Sequence, residues 1–161
     1  MKLAFMYMPS PVGRLKLVAT DSALVAVIWD NENPKRVRQA ELVEQLDHPI
    51  LLDAQQQLNE YFQGQRQTFE LPLDFEGTEF QKKVWQALLN IPFGETRSYR
   101  QIAEQVGSPK AVRAVGAANG QNPISIIAPC HRVIGSSGKL VGFAGGLDNK
   151  DILLKLEQQQ K

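Results

Sequence analysis

The sequence has little cysteine and little histidine: one of the former, Cys130, and two of the latter, His48 and His131. A single cysteine excludes an intrachain disulfide. The set is too small for the four-ligand Cys/His sites of structural zinc, so no metal is expected. No apolar run approaches the ~18–20 residues that a membrane span needs. The opening Met1-Lys2-Leu3-Ala4-Phe5 does not continue into a signal-peptide core, because Met8-Pro9-Ser10-Pro11 interrupts it. These absences point to the cytoplasm and away from membranes. There is no internal repeat, and the biased tail Gln158–Gln160 is too short to interpret.

With 161 residues, 43% of them hydrophobic and 22% charged, the chain has an ordinary globular composition and room for one domain or two small ones. Its net charge of +1 argues at first against nucleic acid. The charge is unevenly spread, however. Residues 1–77 carry seven Lys/Arg against eleven Asp/Glu, whereas residues 78–157 carry ten against six. Such a split is either chance clustering on a solvated face or a basic surface for phosphates.

The first third reads as a small antiparallel meander. Leu3–Met8 is β-prone, Pro9–Gly13 is a turn, Arg14–Val18 alternates polar and apolar, and Leu24–Trp29 is a third strand. Helical periods follow over Val37–Leu46 and Ile50–Phe62, with Gly64 as a stop. Phe69–Gly77 looks extended and links the halves. Thr78 is an N-cap candidate for a helix whose apolar face is Phe80, Val84, Ala87, Leu88 and Ile91. The domains are therefore expected at 1–77 and 78–161.

Ser98 precedes a short helix, Tyr99–Val106, and Gly107-Ser108-Pro109 forms a turn before a second helix, Lys110–Asn119, with Pro109 near its first turn. This spacing fits a helix-turn-helix. Ala and Gly dominate the second helix, and Arg113 is its only charge after Lys110. Gly116 suggests close approach to another backbone. The helix is either packed in the core or pressed into a DNA groove.

The segment Asn122–Ile134 carries the most information. A lone cysteine in apolar surroundings is usually inert, but His131 beside Cys130 can take the thiol proton and leave a nucleophilic thiolate. Neighbours on a regular strand point to opposite faces, so contact requires a break in the chain, for which Pro129 is the candidate, or a bridging water. The final helix, Asp151–Glu157, has the apolar stripe Ile152, Leu153 and Leu156. Glu157 is either a solvated helix-end glutamate or the group that orients His131. The glycine-rich stretch from Gly135 to Gly146 has no phosphate-loop lysine, and it could wall a flat pocket with backbone amides.

Pro129-Cys130-His131-Arg132-Val133, with Asn122-Pro123 before it and Gly145-Gly146-Leu147 and Glu157 after it, closely resembles the O6-alkylguanine-DNA alkyltransferases. The likeness continues through Phe93–Tyr99 and Pro109–Gly116 and covers residues 78–157. It implies an α+β fold: a small N-terminal antiparallel sheet with helices, ribonuclease-H-like, and a mostly helical winged helix-turn-helix domain. It also implies a monomer that binds duplex DNA in the minor groove and rotates out an O6-alkylguanine, with O4-alkylthymine as a second lesion. The alkyl group passes once to Cys130, and no cofactor is used. By the same resemblance His131 is the base acting through water, Glu157 polarises it, Asn122 braces the active-site turn, and Tyr99 protonates the leaving guanine. Arg113, Ser98, Tyr99, Ala114 and Gly116 match DNA-binding positions, with Arg113 filling the gap left by the flipped base. Val133, Phe143, Ala144 and Gly145 match the substrate pocket. Some members have Tyr-Ser where this chain has Phe143-Ala144, so base recognition here leans on backbone groups. The N-terminal zinc site of some relatives cannot form with one cysteine.

Overall fold

The computed structural model describes residues 2–30, 41–135, 143 and 145–160. The chain divides into two compact units, Met1–Glu76 and Gly77–Lys161.

Among the described residues, the first unit is a four-stranded sheet carrying one helix. Strands β1 (Lys2–Met8), β2 (Leu15–Ala19), β3 (Leu24–Trp29) and β4 (Glu41–Glu44) lie in the order β3-β2-β1-β4. The first three form the expected antiparallel meander, with Tyr7 opposite Lys16 and Leu17 opposite Val27. The β1–β2 turn closes through Gly13, whose φ of +95° suits a residue without a Cβ. Helix α1 (Pro49–Phe62) has Pro49 in its first turn, where a missing N–H costs nothing. Its N-cap is His48, whose Nδ1 accepts from the Ile50 amide. Leu51, Ala54, Leu58 and Tyr61 are fully buried on α1, as are Leu15 and Leu17 on the sheet. The extended segment over 69–77 returns to the sheet: Leu24 donates to Pro72 and accepts from Asp74.

The helical period read over Val37–Leu46 does not give a helix. Residues 37–40 lie outside the described residues, and Glu41–Glu44 is a strand. It pairs parallel to β1, with Leu3 opposite Leu42, so the sheet is mixed rather than purely antiparallel. Leu42 packs against the cluster of Leu3, Val18 and Ile28, whereas Val43 and Leu46, which supported the helical period, are exposed. Pairing with the edge of β1 satisfies this segment's backbone groups and overrides a weak local period.

The second unit contains α2 (Glu79–Leu88), β5 (Arg97–Ser98), α3 (Tyr99–Gln105), α4 (Val112–Gly120), a single 3-10 turn (Cys130–Arg132), β6 (Val133–Ile134) and α5 (Leu147–Gln160). Two capping boxes set the helix starts: Thr78 with Gln81 opens α2, and Ser98 with Gln101 opens α3. The Trp85 indole donates to the Ala118 carbonyl at 2.8 Å and ties α2 to α4. Val84, Leu88, Ile102, Val115, Ile124 and Leu153 are fully buried in this unit.

Two helix boundaries differ from those read in the sequence. Helix α4 starts at Val112, and Pro109 lies earlier, in the turn closed by the Ala111 amide on Ser108. Helix α5 starts at Leu147 rather than Asp151, and its buried residues are Lys150, Leu153 and Glu157, while Ile152 is exposed. The buried face of α5 therefore lies about a quarter-turn away from the apolar stripe over Asp151–Glu157.

Replacing Thr78 with alanine removes the capping oxygen from α2. Urea unfolding of Thr78→Ala should show a loss of about 1 kcal/mol with an unchanged m-value. A midpoint equal to wild type would mean that the cap contributes nothing.

Candidate active site

Asn122 is fully buried, and its side chain is spent on the backbone that leads to Cys130. Its Nδ2 donates to the Ala128 carbonyl at 2.8 Å and the Ile124 carbonyl at 3.5 Å, and its Oδ1 accepts from the Ile124 amide at 3.1 Å. The enclosed turn includes Ile126 with φ of 73°. For a β-branched residue the left-handed region costs ~1–3 kcal/mol, and it persists only where the surroundings over-determine it. Here the Asn122 brace and the bonds Ile127 to Ser125 and Ala128 to Ile124 do so. Pro129 then feeds the 3-10 turn, so Cys130 and His131 are not neighbours on a strand; regular extended geometry resumes at Val133.

Cys130 is buried. His131 is fully buried, and its Nε2 lies 2.6 Å from Glu157 Oε2. Glu157 is 1% exposed, which overturns its reading as a solvated helix-end residue. Arg132 grips the same carboxylate with a fork: Nε reaches Oε1 at 2.8 Å, Nη2 reaches Oε2 at 3.0 Å, and Nη1 donates to the Ile91 carbonyl at 2.6 Å. The Gly94 amide adds a longer bond of 3.4 Å to Oε1. Burial pushes the Glu157 carboxyl up, but the hydrogen bonds from His131 and Arg132, with the Arg132 charge, outweigh it and hold the group at about 2. An ionised carboxylate only accepts, so His131 Nε2 carries the proton and Nδ1 holds the lone pair. Nδ1 has no hydrogen-bond partner among the described residues. Burial pulls the His131 pKa below its usual value against the pull of Glu157, and Arg132 and Lys150 act in the same direction as burial. The result is a neutral, oriented imidazole with one basic nitrogen.

Lys150, one of three buried polar residues near Cys130 that the sequence does not single out, is fully buried on the face of α5 that carries Glu157. Its Nζ donates to the Val133 carbonyl at 2.6 Å and lies 5.8 Å from the Phe143 ring. Burial lowers its pKa, and the Cys130 charge works against that. Arg132 is the second and Asn119 the third: Asn119 is buried on α4 with Nδ2 3.4 Å from the Cys130 carbonyl. Lys150 stands seven positions before Glu157, two helical turns, and that spacing would have found it had α5 been extended to Leu147.

The remaining residues fall as follows. Val133 is buried, and Phe143 is half-buried. The Gly145 carbonyl accepts from the Asn149 amide, and Ala144 lies outside the described residues. Tyr99 is half-buried, and burial raises its phenol above the usual value, so it stays protonated at neutral pH. The Ser98 hydroxyl accepts from the Gln101 amide as the α3 cap. Arg113, Ala114 and Ala117 are exposed on α4, opposite buried Val115, Ala118 and Asn119. That helix is therefore neither wholly core nor wholly surface. Among the described residues, a Cβ at Gly116 would meet the Tyr99 ring at 3.9 Å, an ordinary contact. Among the described residues no group of three or more His, Cys, Asp or Glu could hold a metal ion.

Two family models match the chain. Residues 79–159 match the DNA-binding domain of 6-O-methylguanine DNA methyltransferase, and residues 3–75 match its ribonuclease-like domain. A methylated-DNA–protein-cysteine methyltransferase of Mycobacterium leprae is 51% identical over 95% of this chain and 91% of its own length. One of the same name from Methanosarcina acetivorans is 49% identical over 92% and 94%. The crystal structure of Mycobacterium tuberculosis OGT in complex with DNA superposes with a TM-score of 0.87 at 44% identity, covering 99% of this chain and 94% of that one.

The buried charges make stability pH-dependent in two windows. His131 is neutral when folded, so below its ordinary 6.5 the unfolded state takes the proton first and stability begins to fall. The Glu157 contribution is complete above its ordinary 4.5 and is lost as the pH drops toward about 2, a span worth roughly 3 kcal/mol. Urea midpoints from pH 7 to 3 should fall through both windows. Glu157→Gln should be destabilised by ~3–5 kcal/mol at pH 7, because Arg132 is left buried without its carboxylate, and should lose the lower window. A wild-type midpoint that is flat between pH 7 and 3 would contradict both assignments.

Proposed function

The chain belongs to the 6-O-methylguanine DNA methyltransferase family, and from that membership we propose that it repairs O6-alkylguanine in duplex DNA by moving the alkyl group onto Cys130. The observation that carries this reading is the ordered buried row at Cys130: a thiol beside a neutral His131 whose Nε2–H is committed to Glu157 and whose Nδ1 is left as the base. His131 Nδ1 takes the thiol proton, directly or through a water, and leaves Cys130 Sγ as a thiolate. Lys150 lies in the field of that charge and favours it. Sγ attacks the alkyl carbon while the C–O6 bond breaks and its electron pair stays with the purine. Tyr99 gives its phenolic proton to the departing base, and the imidazolium proton restores the phenol through solvent. The products are S-alkylcysteine and guanine. Because the thioether is not hydrolysed, each chain acts once.

A base inside the duplex keeps its O6 substituent out of reach of a buried thiol, so the reading requires the nucleotide to be turned out of the stack. The exposed face of α4, with Arg113 standing among alanines, has the low profile needed to sit against the minor groove. Arg113 then fills the space that the base leaves. The basic balance of residues 78–157 supplies the phosphate contacts. On this reading the protein acts as a monomer. The thiol must stay reduced to act, which supports the cytoplasm as its place of action. O4-alkylthymine is a second substrate on the same chemistry.

Incubation with duplex DNA carrying O6-methylguanine should raise the intact mass by about 14 Da, confined to the Cys130 peptide, with a plateau at one equivalent. Cys130→Ala should gain no mass while still binding the DNA. Tight binding by wild type without mass gain would replace the transfer reading with one of damage binding alone. Affinity should fall as salt rises, and Arg113→Ala should slow transfer more than it weakens binding. An affinity independent of salt would rule out the phosphate contacts.

A further inference from the structure

Each oxygen of the Glu157 carboxylate takes two donors. Oε1 accepts from Arg132 Nε at 2.8 Å and from the Gly94 amide at 3.4 Å; Oε2 accepts from His131 Nε2 at 2.6 Å and from Arg132 Nη2 at 3.0 Å. A carboxylate offers about four such positions, so Arg132 fills roughly half of them. The guanidinium is itself fixed from outside the pair: Nη1 donates to the Ile91 carbonyl at 2.6 Å, and Cζ lies 5.7 Å from the Phe93 ring. Arg132 is 6% exposed and Glu157 1%, so water screens neither charge. With His131 neutral, the charges of the three side chains sum to zero. A guanidinium does not give up its proton inside a protein, so the positive member of the set is permanent.

We infer that Arg132 is a positioning residue for the transfer reaction: by holding both oxygens of Glu157, it keeps His131 Nδ1 free of a proton and ready for the thiol. Without the guanidinium, a buried carboxylate faces a neutral imidazole, and burial penalises the net negative charge. The pair relieves that penalty by binding one proton. On Nδ1 the proton makes the ring an imidazolium. On Oε2 it reverses the bond to Nε2, and the ring hydrogen moves to Nδ1. Both placements turn Nδ1 into a donor and leave the thiol without its base. The charged groups facing His131 are Glu157 and Lys150 from α5 and Arg132 from its own turn. Lys150 donates to the Val133 carbonyl. Helix α2, also packed on the turn, buries Val84, Trp85, Ala87 and Leu88, none of which titrates. Arg97 on β5, opposite Val133, pairs with Glu95 where both are partly exposed. This inference rests on the proposed alkyl transfer with His131 as the base.

The test follows the histidine ring nitrogens by nuclear magnetic resonance in isotope-labelled free protein: wild type, Arg132→Lys, Arg132→Met and Arg132→Met/Glu157→Gln. The chain has two histidines, and His48→Asn assigns their signals. Each variant is first checked for a wild-type-like near-ultraviolet circular dichroism spectrum. Lysine keeps a charge but cannot fork, so Arg132→Lys decides the matter if Arg132→Met does not fold. Wild type should show Nδ1 bare at pH 7. The His131 ring should take up its proton about tenfold or more tightly in Arg132→Lys, and more tightly still in Arg132→Met. The double variant removes the carboxylate that attracts the proton, so its titration should fall back to the wild-type range or below. In single-turnover transfer from O6-methylguanine duplex DNA, the pH below which the rate drops should rise in step with the ring's titration, and the wild-type rate should return at higher pH. A merely structural defect slows transfer at every pH. If Nδ1 titrates as in wild type in each folded single variant, or if the double variant titrates like Arg132→Met, the role given to Arg132 is wrong. If the ring titrates as expected but transfer keeps the wild-type pH profile, His131 is not the base, and the proposed reaction falls together with the inference.

Discussion

The second unit is organised around one buried carboxylate. Glu157 accepts from the Arg132 fork, from His131 and from the Gly94 amide, while Arg132 passes a further bond to Ile91. Three stretches far apart in sequence therefore meet at two oxygens: the end of α5, the 3-10 turn, and the loop after α2. A carboxylate taken out of water costs several kcal/mol unless it is paired and its lone pairs are used. Here they are used. The same pairing that makes the burial tolerable sets the His131 tautomer, and so the structural and chemical demands on Glu157 are met by one geometry.

A second constraint works against local preference rather than with it. Ile126 is held in the left-handed region three residues before Pro129, and the fully buried Asn122 side chain fastens the surrounding carbonyls. A relaxed turn would not need an asparagine spent wholly on backbone. The strain is sustained because Ile124, Ile126 and Ala128 are all buried and leave the turn nowhere to relax. Compact packing and the break in strand geometry at Cys130 are thus two results of the same turn.

Elements whose local signals agree with their surroundings were legible in the sequence. The meander, α1 with its glycine stop, α2 behind Thr78 and α3 behind Ser98 all stand where capping residues and periodicity put them. Where tertiary contacts decide, the sequence misled. Residues 41–44 pair with β1 because an open strand edge needs partners, and no local period reports that. Helix α5 begins four residues before Asp151, and the buried stripe Lys150, Leu153, Glu157 is hard to see because two of its three members are charged. Hydrophobic patterning finds apolar faces, and this face is apolar only at its centre. Arg132 and Asn119 escaped for the same reason: a polar side chain shows its burial through its partners, and those stand 25 and 11 residues away.

The chemistry of the product explains why the site can be so closed. A cysteine that turns over esters or amides forms a thioester, and its base must then admit and activate a second nucleophile. An alkyl group on sulfur gives a thioether, which has no carbonyl for water to attack, so no second step has to be provided for. The base is needed once, to take one proton, and a single open nitrogen, His131 Nδ1, suffices. The burial of His131, Arg132, Lys150 and Glu157 around that nitrogen then carries no penalty in turnover. On the proposed reading the protein spends its only cysteine, and a site built for one event can hold its charges more tightly than a site that must reset.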